Sequence, residues 1–225
     1  MRLRHSRISA RIKTFCAYVA CMKEQTHIDL RPSILYFGTP VALITTTNPD
    51  GSANIGPMSS AWALGYAVIL GLENSAWTLA NLERHGECVI NLPGPDLAEH
   101  VERLAPLTGR DPVPEHKADG YRHEPDKFGA AGLTPQPSAS VEPPRIAECP
   151  LQLEARVAQV HTPSGAYADG FRIVETHVEC VHASPEIVEE GTDHIDPDRW
   201  SPLLYVFRHY FGTGDGIGKT FKAEY

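Results

Sequence analysis

Hydroxyl and amide side chains stand at the ends of short apolar runs between residues 41 and 92. The apolar run that begins at Val41 ends in Thr45, Thr46 and Thr47, and a small polar loop follows the turn at Asn48–Gly51. Thr78 and Asn81 come later, on a segment with the pattern of a helix start. Hydroxyls and free backbone N–H groups would form a concave surface that is rich in donors and weakly charged. Such a surface suits a large planar polar ligand that ends in a phosphate.

Alternating and β-branched apolar residues predict the strands that would carry these side chains. Between the second and third strands, Asn74 or Ser75 is predicted to cap a helix with Leu79 and Leu82 on its apolar face, and Gly86 to end it. Asp96 with Glu99 is typical of a second helix start. The predicted strands are residues 41–47, 66–72, 88–92, 151–161 and 171–183.

Residues 93–150 break this pattern, because more than half of the nineteen prolines lie there. Proline interrupts both long helices and central strands. We therefore expect an extended excursion over the surface, which serves as a lid or as an arm that wraps a partner. Moderate strands joined by turns, with only two convincing helices, predict a mainly antiparallel β fold that closes as a barrel.

Other motifs are weaker. The segment GTGDGIGKT at residues 212–220 lacks the first glycine of a phosphate loop, since Thr213 stands there. His177 would face away from Cys180 and His182 on a regular strand, so the three do not predict a metal site. His194 and His209 are alternatives for covering a ligand. No serine has a base that the sequence identifies, so no catalytic side chain is predicted.

Composition excludes several classes of protein. The formal net charge is −8, which argues against a nucleic-acid partner. No apolar run is long enough for a membrane span. The five cysteines form no close pair and suit reduced thiols, so a cytoplasmic location is expected. The basic, acid-free residues 1–21 are expected to be a disordered extension before a natural start at Met22, with a targeting segment as the alternative.

Four stretches in order resemble the flavin reductase-like family of FMN-binding split barrels. They are PVALITTTNPDGSANIGPMSS, SAWTLANLERHGECVINLP, DKFGAAGLT and PPRIAECPLQLEARV, which together span much of residues 32–183. The resemblance implies a six-stranded antiparallel Greek-key split barrel with a few short helices, commonly a homodimer with FMN at the subunit interface. We expect this domain to cover residues 22–210 and a flexible tail to cover residues 211–225.

The resemblance also implies roles for particular residues. The three threonines would run beside the edge of the flavin ring, the loop after Asn54 would donate to the ring and ribityl chain, and the helix start would hold the phosphate. The implied cofactor-binding residues are Thr45, Thr46, Thr47, Asn54, Gly56, Pro57, Ser59, Ser60, Ser75, Thr78 and Asn81. Many relatives have a lysine or arginine two residues before the threonine of the helix start, where this chain has Ala76. Arg84, Lys127 or a partner's residue would then replace that cation, and FMN would bind exchangeably.

The function that this resemblance implies is that of an NAD(P)H-dependent flavin oxidoreductase. NADH or NADPH would give hydride to flavin N5, and the reduced flavin, FMN or alternatively FAD, would pass electrons to a partner oxygenase, to iron or to oxygen. Two other functions remain open: an FMN-binding electron carrier without nicotinamide activity, and a flavin-free split barrel that acts as an interaction module.

Overall fold

The computed structural model describes residues 27–218 and Thr220. The expected basic extension at residues 1–21 lies outside the described residues, as does the end of the expected tail at 221–225. The described residues fall into two units that divide after Leu35. Within the first, residues 27–35 contain no helix or strand.

The described residues of the second unit form fourteen strands, β1 to β14, three α-helices, α1 to α3, and short 3₁₀ turns. The strands are β1 (Phe37–Pro40), β2 (Ala42–Thr47), β3 (Ala53–Met58), β4 (Ala61–Leu64), β5 (Ala67–Glu73), β6 (Glu87–Leu92), β7 (Leu107–Thr108), β8 (Arg122–His123), β9 (Pro135–Gln136), β10 (Arg145–Ile146), β11 (Leu151–His161), β12 (Phe171–Ala183), β13 (Leu204–Val206) and β14 (His209–Phe211). The helices are α1 (Trp77–His85), α2 (Ala98–Leu104) and α3 (Lys127–Ala131).

The main sheet has the strand order β3-β2-β6-β11-β12-β5-β4, and all of its pairs are antiparallel. The mainly antiparallel β class is therefore confirmed. The main sheet has seven strands where six were expected. The short runs Ala53–Met58 and Ala61–Leu64 each form an edge strand, and β1, β13 and β14 form a separate three-stranded sheet.

The core lies on both sides of β2, which is buried along its whole length. Ala42 and Ile44 pack with α1, whereas Leu43 packs with α2 and α3. A strand covered on both faces is expected to be a continuous apolar run, as this one is up to its threonines.

The proline-rich excursion does more than cross the surface, which corrects the prediction for residues 93–150. It contributes Val101, Leu104 and Phe128 to the core, through α2 and α3. Prolines prevent a long helix there, but short helices and turns between them still bury apolar side chains. The segment is thus a structural layer against β2 and β3.

Helix α1 ends as predicted, with Gly86 in the left-handed region (φ 78°) and its N–H donating to the carbonyl of Leu82. Its start is one or two residues later than predicted. Ala76 occupies the N-cap position, and no side chain caps the helix, so neither Asn74 nor Ser75 has that role. The first-turn N–H groups are therefore left without a side-chain acceptor.

The described residues include no helix of the length and apolarity that crossing a membrane requires.

Candidate functional site

A cleft of about 310 Å³ opens between β3, β5, the start of α1 and the excursion. Among the predicted site residues, Gly56, Pro57 and Ser60 line the same cleft as Thr78, which follows some twenty positions later in the sequence. Its lining includes Gly56, Pro57, Met58, Ser60, Gly71, Glu73, Ala76, Trp77, Thr78, Thr108, Gly109, Lys117, Tyr121 and Lys127.

Gly56 brings the helix start close to the sheet. A Cβ atom at Gly56 would lie 2.1 Å from Thr78 Oγ1, so only glycine lets this hydroxyl rest on β3. On the opposite side, a Cβ atom at Gly109 would lie 2.4 Å from the Trp77 ring. Two glycines that are 53 positions apart in the numbering therefore hold the excursion, α1 and β3 together around the uncapped helix start.

A network of amides and hydroxyls lies beneath this helix start. Asn54 Nδ2 donates to Thr46 Oγ1 (3.3 Å) and to Thr78 Oγ1 (3.2 Å), and Asn81 Nδ2 donates to Thr46 Oγ1 (3.1 Å). Asn54 is only 2% exposed, and its Oδ1 has no hydrogen-bond partner among the described residues. A buried amide oxygen without a donor is costly, so this atom is ready to accept a hydrogen bond from a ligand or a water molecule.

The three threonines do not line the cleft. Thr45 Oγ1 donates to the Pro144 carbonyl (2.6 Å), Thr46 orients the two asparagines, and the Thr47 carbonyl accepts from Arg84. All three are buried. Their hydroxyls and carbonyls thus fix β2 to its neighbours.

The loop after β3 separates its two serines. Ser60 lines the cleft and shares a hydrogen bond of 2.8 Å with the Tyr36 hydroxyl. Ser59 lines an adjoining recess of about 500 Å³, to which Pro57, Met58 and Tyr36 also belong. Ser75 lies between β5 and α1 and is not part of the cleft lining.

Three cations surround the helix start, and two of them were missed in the sequence. The Arg110 guanidinium lies 5.4 Å from the centre of the Trp77 ring, and its buried Nε has no hydrogen-bond partner among the described residues. Lys117 pairs with Glu73 and lies 5.3 Å from the centre of the Tyr121 ring. The absence of a cation at Ala76 was the only sequence signal that another residue had to supply one.

The third cation, Lys127, was one of the replacements suggested from the sequence, beside Arg84 and a residue of a partner subunit. It is 4% exposed, and its Nζ donates to the Ile55 carbonyl (2.8 Å). Burial lowers its pKa to about 8, against the opposing effect of Glu124. The other suggested residue, Arg84, is engaged with the Thr47 carbonyl.

The excursion forms the wall of the cleft opposite the sheet. Strands β7 and β8 pair in parallel, so both ends of residues 109–121 lie together. Lys117 and Tyr121 face the cleft from this segment. The ion pair between Lys117 and Glu73 joins the segment to the end of β5. Burial alone would raise the pKa of the Glu73 carboxyl. The hydrogen bond and charge of the Lys117 ammonium outweigh burial, so the pKa of Glu73 is lowered.

A larger cavity of about 590 Å³ lies elsewhere, near the start of β11 and the end of β12. Among its lining residues, Arg145 Nη1 donates to Gln152 Oε1 (2.9 Å). The Glu154 carboxylate, behind the cavity, accepts from His182 Nε2 (2.7 Å), the Ala139 N–H (2.8 Å) and the Ser140 N–H (2.6 Å). Burial raises the pKa of Glu154, but these hydrogen bonds outweigh it and lower the pKa to about 2.

The histidine and cysteine residues weighed as metal ligands do not converge. His177 lies 3.3 Å from Glu175, whereas Cys180 Sγ lies 3.4 Å from His182 Nε2. A bulge opposite Glu154 and Ala155 interrupts the strand between them, so strict alternation does not apply there. His194 and His209 are exposed and line neither the cleft nor the recess.

Known proteins match both the sequence and this architecture. Residues 34–214 match the family model of the flavin reductase like domain. The chain is 49% identical over 197 residues to a Bacillus subtilis (strain 168) protein described as the uncharacterized protein YdfE, with 87% of this chain and 94% of the relative covered.

Two solved structures share the fold. Flavoredoxin of Desulfovibrio vulgaris (Miyazaki F) superposes with a TM-score of 0.71 at 20% identity and covers 88% of this chain and 99% of its own. Nitrilotriacetate monooxygenase component B from Bacillus cereus superposes with a TM-score of 0.67 at 17% identity and covers 88% and 97%. The curled antiparallel sheet is thus a split barrel, as expected. With its family model spanning most of the sequence, the chain belongs to the flavin reductase-like family.

Proposed function

We propose that the cleft at the start of α1 binds FMN and that the protein is an NAD(P)H-dependent flavin oxidoreductase. The observation that carries this proposal is the set of unpaired polar groups there. The uncapped first turn, the Asn54 Oδ1 atom and the Arg110 Nε atom all lack partners among the described residues, and all lie around Trp77 and Thr78. Family membership supplies the ligand class that would satisfy them.

These residues fit a phosphate monoester and a polar chain. An uncapped helix start attracts an anion through free N–H groups and the helix dipole, which contributes about 0.3–1 kcal/mol at an exposed site. Lys117 and Arg110 would add the charge that Ala76 does not provide. The Asn54 Oδ1 atom would accept from a ribityl hydroxyl. The apolar faces of Pro57 and Met58 would border the ring.

When bound, the flavin would supply the redox chemistry, accepting hydride at N5 from NADH or NADPH. The protein's residues would bind and orient it, with no side chain acting as acid or base. Lys127 would keep a positive charge near the cleft at neutral pH, because its pKa of about 8 leaves the ammonium protonated. Thr46 and Asn81 would position Asn54, and Gly56 would position Thr78.

The remaining proposals concern the oligomeric state, the location in the cell, the electron acceptor and the domain limits. We infer a homodimer in the cytoplasm and an oxygenase that accepts reduced flavin, the latter by analogy with the monooxygenase component whose fold this chain shares. Domain limits of residues 22–210 are likewise a proposal. An electron carrier is the second candidate, because a flavoredoxin is among the structures with the same fold.

Titration with FMN, riboflavin and FAD, followed by flavin fluorescence, tests the binding. FMN should quench most strongly, and riboflavin should bind at least tenfold more weakly because it lacks the phosphate. Equal affinity for FMN and riboflavin would contradict the assignment of the phosphate to the helix start. No quenching by any flavin would instead favour the flavin-free interaction module.

Anaerobic mixing of the FMN-loaded protein with NADH or NADPH tests the activity. Bleaching of the visible flavin absorbance, together with loss of reduced nicotinamide, identifies a reductase. A protein that binds FMN tightly but is bleached only by dithionite is the electron carrier.

A further inference from the structure

The recess beside the cleft has walls that the proposed function leaves unused. Four tyrosines line it, namely Tyr36, Tyr121, Tyr205 and Tyr210, and its floor is apolar, formed by Val41, Val101, Ala105 and Met58. The Tyr205 ring contacts the ring of Tyr36 at 5.4 Å and that of Tyr210 at 5.6 Å between centroids. An aromatic cluster of this kind favours contact with a planar ring.

Two tyrosine hydroxyls of the recess are free to donate a hydrogen bond to an occupant. The hydroxyls of Tyr205 and Tyr121 make no hydrogen bond within the described part of the chain, whereas Tyr36 is bonded to Ser60. Glu102, the one carboxylate among the lining residues, accepts from the Tyr210 hydroxyl at 3.1 Å. An occupant would therefore meet two free hydroxyls, whereas the Glu102 carboxylate is held by Tyr210 through one of its oxygens.

Arg208 adds a cation to these donors. It lines the recess, is exposed, and forms no ion pair with any described residue. It belongs to the two-residue loop between β13 and β14, in which Phe207 (φ 42°) and Arg208 (φ 71°) are the two non-glycine residues with positive φ in the described chain. Loops of this type favour Asn-Gly, so a Phe-Arg pair here is strained, and such strain accompanies functional sites.

We propose that this recess binds a planar aromatic carboxylate, with the ring against the tyrosines and the carboxylate at Arg208 and the free hydroxyls. Tyr36, Pro57, Met58, Ala105 and Tyr121 line both the recess and the cleft, so the occupants of the two sites would touch. The inference deepens the proposed function, since it names the chemical class of a molecule held next to the flavin. The binding of this aromatic carboxylate can be measured without any redox reaction of the flavin.

Calorimetric titration with three matched compounds tests the proposal. Benzoate has the ring and the charge, benzamide has the ring alone, and cyclohexanecarboxylate has the charge alone. Benzoate should bind with a Kd of about 1 mM or below, and each of the other two at least about tenfold more weakly. Equal binding of benzamide and benzoate would overturn the proposal and favour a neutral ring such as nicotinamide. Absence of benzoate binding would overturn it as well.

Two variants locate the contact. Arg208→Gln keeps a Cβ atom at the same φ and should weaken benzoate binding about tenfold, and Tyr205→Phe should weaken it about twofold to tenfold. Arg103→Gln removes the same charge from α2, outside the recess, and should leave the affinity for benzoate unchanged. If Arg208→Gln and Arg103→Gln behave alike, the carboxylate is not at Arg208.

Titrations with and without FMN separate this proposal from the one on which it rests. Flavin fluorescence should report the same FMN affinity in the wild type and in Arg208→Gln. A protein that binds benzoate but no FMN would refute the flavin site and leave the recess assignment standing. A protein that binds FMN but no benzoate would do the reverse.

Discussion

Two of the cavities, the cleft and the larger cavity near β11 and β12, differ more in how the polar groups beside them are paired than in size. The larger one, of about 590 Å³, adjoins the buried Glu154, whose carboxylate accepts hydrogen bonds from two N–H groups, a hydroxyl and an imidazole. The smaller one, of about 310 Å³, lies at an uncapped helix start, and the partnerless amide oxygen of Asn54 is buried behind it, beside Thr78. A satisfied network stabilises the fold, whereas unpaired groups await a ligand.

The difference predicts that substitutions near Glu154 affect folding more than binding. Glu154→Ala leaves several buried donors unsatisfied, so we expect the free energy of unfolding to fall by about 3–5 kcal/mol in urea titrations. Any folded protein should retain the wild-type affinity for FMN. Glu179→Ala removes an exposed partner of Arg156 and should cost about 1 kcal/mol or less. Loss of FMN binding without loss of stability in Glu154→Ala would reverse the roles of the two cavities.

Acid should destabilise the fold by protonating the Glu154 carboxylate. The pKa of Glu154 is lowered in the folded chain to about 2, below its ordinary value of 4.5. Its stabilising effect is therefore complete above pH 4.5 and is lost as the pH falls towards 2. Unfolding measured between these values should show a weaker pH dependence in Glu154→Gln than in the wild type. An unchanged slope would show that other carboxylates dominate the acid unfolding.

Thr78→Val should affect FMN binding more than folding, which is the opposite of the effect expected for Glu154→Ala. The change keeps the shape of the side chain but removes a hydroxyl at the helix start and an acceptor for Asn54. We expect FMN affinity to fall about tenfold to a hundredfold with modest destabilisation. Thr176→Val is the matched control, because it removes a buried hydroxyl that donates to the Val68 carbonyl (2.8 Å) in the sheet. Equal effects of both variants on FMN affinity would mean that Thr78 acts only through stability.

Lys127→Met tests whether the buried cation serves the cleft. FMN affinity should fall about tenfold and riboflavin affinity less, since the ammonium acts on the phosphate charge at a distance. In the wild type, FMN affinity should also fall as the pH rises through about 8, and this step should be absent in the variant. A pH profile that is the same in both proteins would exclude Lys127 as its source.

The same residue gives a stability signature. The folded pKa of about 8 lies below the ordinary value of 10.5, so between these values the unfolded chain binds the proton that the folded chain has lost. Lys127 should therefore add a rise of stability with pH in this window. Burial raises the pKa of the Cys88 and Cys149 thiols, which act in the opposite direction in both proteins, so stability measured in urea should fall more steeply with pH in Lys127→Met than in the wild type.

The smallest effect is expected at the ion pair between Glu73 and Lys117. Glu73→Gln weakens the attachment of residues 109–121 to β5 and also frees Lys117 for an anion. These effects oppose each other, and a half-exposed pair contributes little, so FMN affinity should change by about threefold or less. Faster FMN dissociation from Glu73→Gln than from the exposed control Glu83→Gln in stopped flow would show that the ion pair holds residues 109–121 against the cleft.

The sequence predicted the framework of the site better than its charges. Regular patterns lead directly to β2 and to the end of α1 at Gly86, because both follow from local chemistry. Strand β3 escaped prediction because it contains Gly56 and Pro57, which are disfavoured in strands except at a sheet edge, where β3 lies. Arg110 and Lys117 reach α1 and β5 from an irregular segment, and no periodicity reports such a contact.

The parallel pairing of Leu107–Thr108 with Arg122–His123 has a consequence for how this architecture diversifies. Both ends of the intervening loop are anchored at one point, so its length and composition can change without altering the distance between those ends. Natural variation, or exchange of the loop with that of a relative, would alter what enters beside Trp77 while the strands stay the same. Ligand selectivity in such a fold can therefore change through this one loop.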